Sequence, residues 1–157
     1  MNTLVVYDSQ FGNTEQVARA IAATLETVGD VRVVSAAESR GADLAGIDLL
    51  LVGGPTQGHG VRQQMRAWLD AAPSDALRGM ALATFDTRLH WPMFMSGSAA
   101  RTIAKTLAAK GARLVAAPGS FLVAGSKGPM RRGEIERAGS WAASIAAQLS
   151  TTAKRPR

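Results

Sequence analysis

Short apolar runs alternate along this chain with segments whose apolar positions recur every three or four residues. Residues 3–7 (TLVVY) have the length of a strand. Val17, Ala20, Ile21, Leu25 and Val28 then follow at helical spacing, and Gly29 stands where a helix should stop. Residues 31–35 (VRVVS) predict a second strand and residues 46–54 (GIDLLLVGG) a third. The unbroken apolar stretch from Leu49 to Val52 suits a strand covered on both faces. Val61, Met65, Trp68 and Leu69 mark a second helix that ends near the AAP at 71–73. Residues 80–85 (MALATF) predict a fourth strand, and residues 98–110 a helix with Ile103 and Leu107 inward and Gly111 as its stop. Residues 113–118 (RLVAAP) predict a fifth strand, which can resume as SFLVAG, and Ile135, Ala138, Ala142, Ile145 and Leu149 a last helix. Trp68 and Trp141 fall on helical stripes and are expected in the core.

Strand and helix in alternation argue for an α/β protein with a parallel sheet and helices on both faces. Ligands in such sheets sit beyond the carboxyl ends of the strands, where the strand order switches. The segments to inspect are therefore 8–14, 53–60 and 86–96. The first, DSQFGNT, lacks the Gly-Lys-Ser/Thr of a P-loop and has one glycine, too few for the dinucleotide fingerprint. It offers hydroxyls and amides at the positive end of a helix, which suits a phosphate held by neutral donors. N-capping by Asn13 or Thr14 is the plainer alternative. The second, GGPTQGHG, is rich in glycine, as backbone pressed against a flat ligand or a tight turn would be. The third carries Phe85, Trp91 and Phe94 in a long connection, a length that is usually functional or disordered.

Composition narrows the chemistry. The 157 residues contain no cysteine, which removes disulfides and thiolate chemistry. The expected organisation is one domain over residues 1–150 and a disordered basic tail over 151–157. The absence of a membrane-length apolar run or a leader-like N-terminus fits a cytoplasmic protein. The net charge is +6, with cations grouped at 127–132 and 154–157. No helix interleaves a basic stripe with aromatics, so an acidic protein partner is a better expectation than nucleic acid. His59 and His90 lack carboxylate neighbours, and no metal-ligand spacing or nucleophile–base order is present.

VVYDSQFGNTEQVARAIA (5–22), VGGPTQGHG (52–60) and TFDTRLHW (84–91) together resemble the three cofactor loops of flavodoxins, in a likeness spanning residues 4–149. The resemblance implies a flavodoxin-like three-layer α/β/α sandwich with a five-stranded parallel sheet in the order 2-1-3-4-5. It also implies bound FMN, one-electron transfer and a redox protein partner. Ser9, Gln10, Gly12, Asn13 and Thr14 would hold the phosphate. Pro55, Thr56, Gln57 and Gly58 would lie along the isoalloxazine, with the peptide after Gly58 turning over on reduction. Phe85, Asp86, Thr87 and Arg88 would reach its pyrimidine end, where the Asp86 carboxylate could accept from flavin N3 or, as the safer reading, cap the loop. The chain departs from the family in two ways. Gln57 takes the place of an inner aromatic, with His59 the only ring nearby, and the outer face falls to His90 or Trp91. Pro92 stiffens the turn behind Trp91 and favours it, although Trp91 could instead pack under its own loop. Arg88 also stands where flavodoxins, typically acidic, disfavour an anionic reduced flavin. It would stabilise that anion, or else bond a loop carbonyl or Asp86. Other readings on the same fold are an NAD(P)H-dependent quinone or FMN reductase, a protoporphyrinogen-oxidising enzyme, and a flavin-free partner-binding descendant.

Overall fold

In the computed structural model, which describes residues 1–39, 44–58 and 60–155, β1 (Asn2–Tyr7) lies between β2 (Asp30–Ser35) and β3 (Leu49–Pro55). β3 pairs with β4 (Ala81–Arg88), and β4 with the two-residue β5 (Arg113–Leu114). All these pairings are parallel, in the order β2-β1-β3-β4-β5, as the resemblance implied. The fifth position is shared: β6 (Gly119–Leu122) pairs with residues 85–88 of β4 beyond the end of β5. The expected resumption at SFLV is therefore real, but residues 115–118 interrupt the strand.

Residue alternation assigns the two faces. Val5, Leu49, Leu51, Ala83 and Phe85 point into one core, closed by α1 (Asn13–Leu25) and α6 (Glu134–Ala153). Leu4, Val6, Leu50, Val52 and Leu82 point into the other, closed by α2 (Gln63–Ala71) and α5 (Ala99–Ala109). The short α3 (Ser74–Leu77) and α4 (Met93–Ser96) lie in connections, where periodicity over four residues gives no signal. Trp68 is buried as expected. Trp141 packs edge-on against Phe85 and Phe121, with ring centroids 6.3 and 5.8 Å away.

Several boundaries differ from the sequence expectation. α1 ends at Leu25, so Val28 is exposed. Gly29 is not the helix stop: a Cβ there would overlap the Met1 carbonyl, and close approach is what demands glycine. Gly111, by contrast, has φ +105 and ends α5 as expected. Gly53 admits the Phe85 ring, which a Cβ would overlap, so this glycine serves the core and not a ligand. Residues 151–153 continue α6, where a disordered tail was expected, and residues 156–157 lie outside the described residues. No helix among the described residues is long and apolar enough to cross a membrane.

Candidate functional site

The carboxyl ends of β1, β3 and β4 open into a cavity of about 470 Å³, well within the usual range for ligand sites. Its floor is the start of α1. Gly12, at φ +89, turns the chain into that helix, and no side chain caps it. The capping alternative for Asn13 and Thr14 is thus not realised, and the first N–H groups of α1 are left to an external acceptor. The loop holds its own shape: the Gly12 N–H donates to Ser9 Oγ at 3.1 Å. Ser9, Gln10, Asn13 and Thr14 line the cavity, whereas Gly12 faces a shallower neighbouring depression. Thr14 is buried, with its hydroxyl 2.8 Å from that of Thr87 on β4.

Pro55, Thr56, Gln57 and Gly58 form one wall. Gln57 and Gly60 exchange backbone hydrogen bonds of 3.0 and 2.9 Å, closing a tight turn in which Gly58 has φ +53. His59 lies outside the described residues. Gln57 Nε2 donates to Gln10 Oε1 at 2.6 Å, which ties this wall to the first loop. Thr56 Oγ1 accepts from the Ala99 N–H at 3.0 Å and so has a structural duty besides lining the cavity.

The third expected group divides. β4 runs on through Arg88, three residues beyond the expected MALATF run, so Phe85 and Asp86 lie within the sheet and only the last two residues of the strand reach the cavity. Thr87 and Arg88 line the cavity. Phe85 and Asp86 do not line it. Phe85 is fully buried against Trp141. Asp86 Oδ2 accepts from the Ser98 hydroxyl at 2.6 Å and the Ala100 N–H at 3.0 Å, so it anchors the start of α5 from the neighbouring strand. Arg88 Nη1 donates to the Trp91 carbonyl at 2.8 Å, while its buried Nε has no partner. Trp91 lines the cavity and is 56% exposed, so it does not pack under its own loop; His90 is outside the lining.

Of the other lining residues, Phe11, Leu89, Met95 and Ser96 fall within the segments marked for inspection, whereas Val123, Ser126 and Lys127 lie outside them. The last three arrive on a hairpin after β6. Met95 and its neighbour Phe94 are exposed at 52% and 87%. Arg88 and Lys127 are the only ionisable side chains among the described lining residues, and both are cations.

Below the first loop, Asp8 is buried and pairs with Arg62 at 3.0 Å. Burial pushes its carboxyl up, against the opposing pull of the guanidinium and of a backbone N–H bond at Ser9. Tyr7 donates to Glu15 at 2.6 Å; this bond holds the Glu15 carboxyl below its ordinary value and raises the phenol.

An uncapped helix start beside hydroxyl and amide donors, an unpartnered Arg88 Nε and a slot rimmed by Trp91 suit a phosphate joined to a flat conjugated ring. The donor set therefore fits FMN. No curated protein matches the chain. Among solved structures, a flavodoxin from the domain Archaea superposes with a TM-score of 0.79 at 22% identity, covering 96% of this chain and 99% of its own. Oxidised flavodoxin 1 from Bacillus cereus gives 0.78 at 23%, covering 94% and 98%. A flavodoxin, WrbA-like protein from Agrobacterium tumefaciens gives 0.69 at 21%, covering 96% and 98%. These likenesses establish the fold, and the family model for flavodoxin matches residues 5–141. With most of its length matched and a cavity whose donors suit the cofactor, the chain belongs to the flavodoxin family of FMN-binding proteins.

Proposed function

We propose that the chain is an electron shuttle, taking electrons from one redox protein and delivering them to another through FMN. The observation that carries this reading is the wall of the cavity. Its ionisable groups among the described residues are the cations Arg88 and Lys127, with no carboxylate lining the cavity beside them. Such a wall suits passage of electrons better than acid–base or nucleophilic chemistry. FMN supplies the redox chemistry when bound, and the protein orients it and tunes it.

In this reading Ser9, Gln10, Asn13 and Thr14 hold the phosphate, and Gly12 turns the chain so that they can. Pro55, Thr56, Gln57 and Gly58 flank one side of the ring; Thr87 and Arg88 bound its edge; Trp91 covers the outer face. The left-handed turn at Gly58 leaves that peptide free to adopt either orientation. The exposed Trp91, Phe94 and Met95 offer a partner an apolar contact beside the cavity, and the net charge of +6 favours an acidic one.

A second reading, an FMN-dependent quinone reductase, draws on the same apolar rim, which would accept a flat apolar acceptor. Two experiments separate them. Titration of the flavin-free protein with FMN is expected to quench flavin fluorescence at micromolar or lower concentrations. Anaerobic mixing of the loaded protein with NAD(P)H alone is expected to leave the flavin oxidised, and addition of a flavodoxin reductase to reduce it. Direct reduction by NAD(P)H, with turnover of a quinone, would favour the enzyme.

A further inference from the structure

The first loop contains no cation, yet the folded protein brings one to it. Leaving β6, the chain forms a hairpin. Val123 bridges Met130, the Ala124 N–H donates to the Pro129 carbonyl at 2.8 Å, and the Gly128 N–H donates to Gly125 at 2.9 Å. Ser126 and Lys127 are the tip of this turn, and both line the cavity. The hairpin is seated at two points. Its base is fixed to the sheet by the Val123 N–H, which donates to the Arg88 carbonyl at 3.0 Å. Its far side lies so close to the first loop that a Cβ on Gly128 would stand 2.5 Å from Asn13 Oδ1. Gly128, at φ +100, is thus required both by conformation and by this approach.

The result is that Lys127 Nζ stands over the Phe11 ring, 5.9 Å from its centroid, beside the start of α1. No carboxylate among the described residues forms an ion pair with it, and none lines the cavity. Phe11 is 45% exposed, an unusual position for a phenylalanine, but one that supports an ammonium poised at the mouth. Arg88 lies on the β4 wall with Nη1 committed to the Trp91 carbonyl, which leaves Lys127 as the cation beside the donors of the first loop.

We propose that Lys127 is a phosphate-binding residue, a cationic arm beside the start of α1 that contacts the phosphomonoester of FMN. The proposal rests on the FMN reading of the cavity. It adds that the site discriminates by charge, and prefers a flavin bearing a phosphate dianion to the same flavin without one.

FMN and riboflavin differ by that phosphate alone, so they are the probes. Dissociation constants for both would be measured by fluorescence with wild type, Lys127→Met, Lys127→Gln and Lys127→Arg. Met preserves the aliphatic contact with Phe11 and removes the charge. The proposal expects Lys127→Met and Lys127→Gln to weaken FMN binding about tenfold, the scale of one charge-assisted contact, with riboflavin binding unchanged. Lys127→Arg should retain the preference, and raised salt should narrow the gap between wild type and Lys127→Met. Equal losses for the two flavins would assign Lys127 a packing role and overturn the proposal. So would an unaltered ratio of affinities in all variants, and in both cases the FMN reading would stand. A wild-type protein that binds neither flavin would overturn both.

Discussion

At the scale of single residues, Arg88 is the sharpest departure from an acid-lined flavin site. Its guanidinium is oriented by the Trp91 carbonyl and lines the cavity with a buried, unpartnered Nε. A cation so placed favours a ring that gains negative charge on reduction. Arg88→Gln is expected to lower the potential of the second one-electron reduction by about 60 mV, the equivalent of a tenfold change in preference. Reductive titration against a reference dye would measure it, and an unchanged potential would assign Arg88 to loop structure alone. Residue type made Ser9, Asn13 and Thr14 legible as site candidates, and the resemblance added Thr56 and Arg88. Residue type did not show that β4 continues through Asp86, because a polar residue after an apolar run reads as the start of a loop. Asp86 is a strand residue whose Oδ2 accepts from the start of α5.

At the scale of elements, alternation and helical spacing located the strands and the four long helices, since each buries one face against the sheet. They located ends less well. Strand pairing extends β4 to Arg88, which leaves no periodic trace, whereas the second apolar run at SFLVAG already pointed to the resumption of the fifth strand as β6. The Asp8–Arg62 pair joins the end of β1 to the residue that begins α2. Burial raises the Asp8 carboxyl above its ordinary 3.8, so ionisation of Asp8 costs folding stability as pH rises through the window above 3.8. Arg62 offsets that cost. Arg62→Met is expected to destabilise the protein by about 3 kcal/mol at pH 7, because it leaves a buried carboxylate uncompensated. The deficit should shrink as pH falls and Asp8 takes up a proton. Urea denaturation at pH 7 and near pH 4 would measure it; a deficit equal at both would mean that packing, not charge, is what Arg62 contributes.

At the scale of the whole molecule, the net charge of +6 belongs to encounter and not to fold. Electron exchange with an acidic redox protein is expected to slow as ionic strength rises, and exchange with a basic one to quicken. Stopped-flow rates over a salt series would decide between those partners. The sheet order could be anticipated from three motifs in register, but the fourth wall of the cavity could not. Lys127 meets Phe11 only through the ladder of β6 on β4, a contact between distant parts of the chain that no local pattern encodes. That same contact imposes an order in time. Residues 9–14 leave the ribosome early, yet the hairpin that closes over them is made only after residue 128, and α6, which packs on α1, follows later still. Until residues 123–130 have been made, the start of α1 lacks the wall that the hairpin supplies in the folded protein.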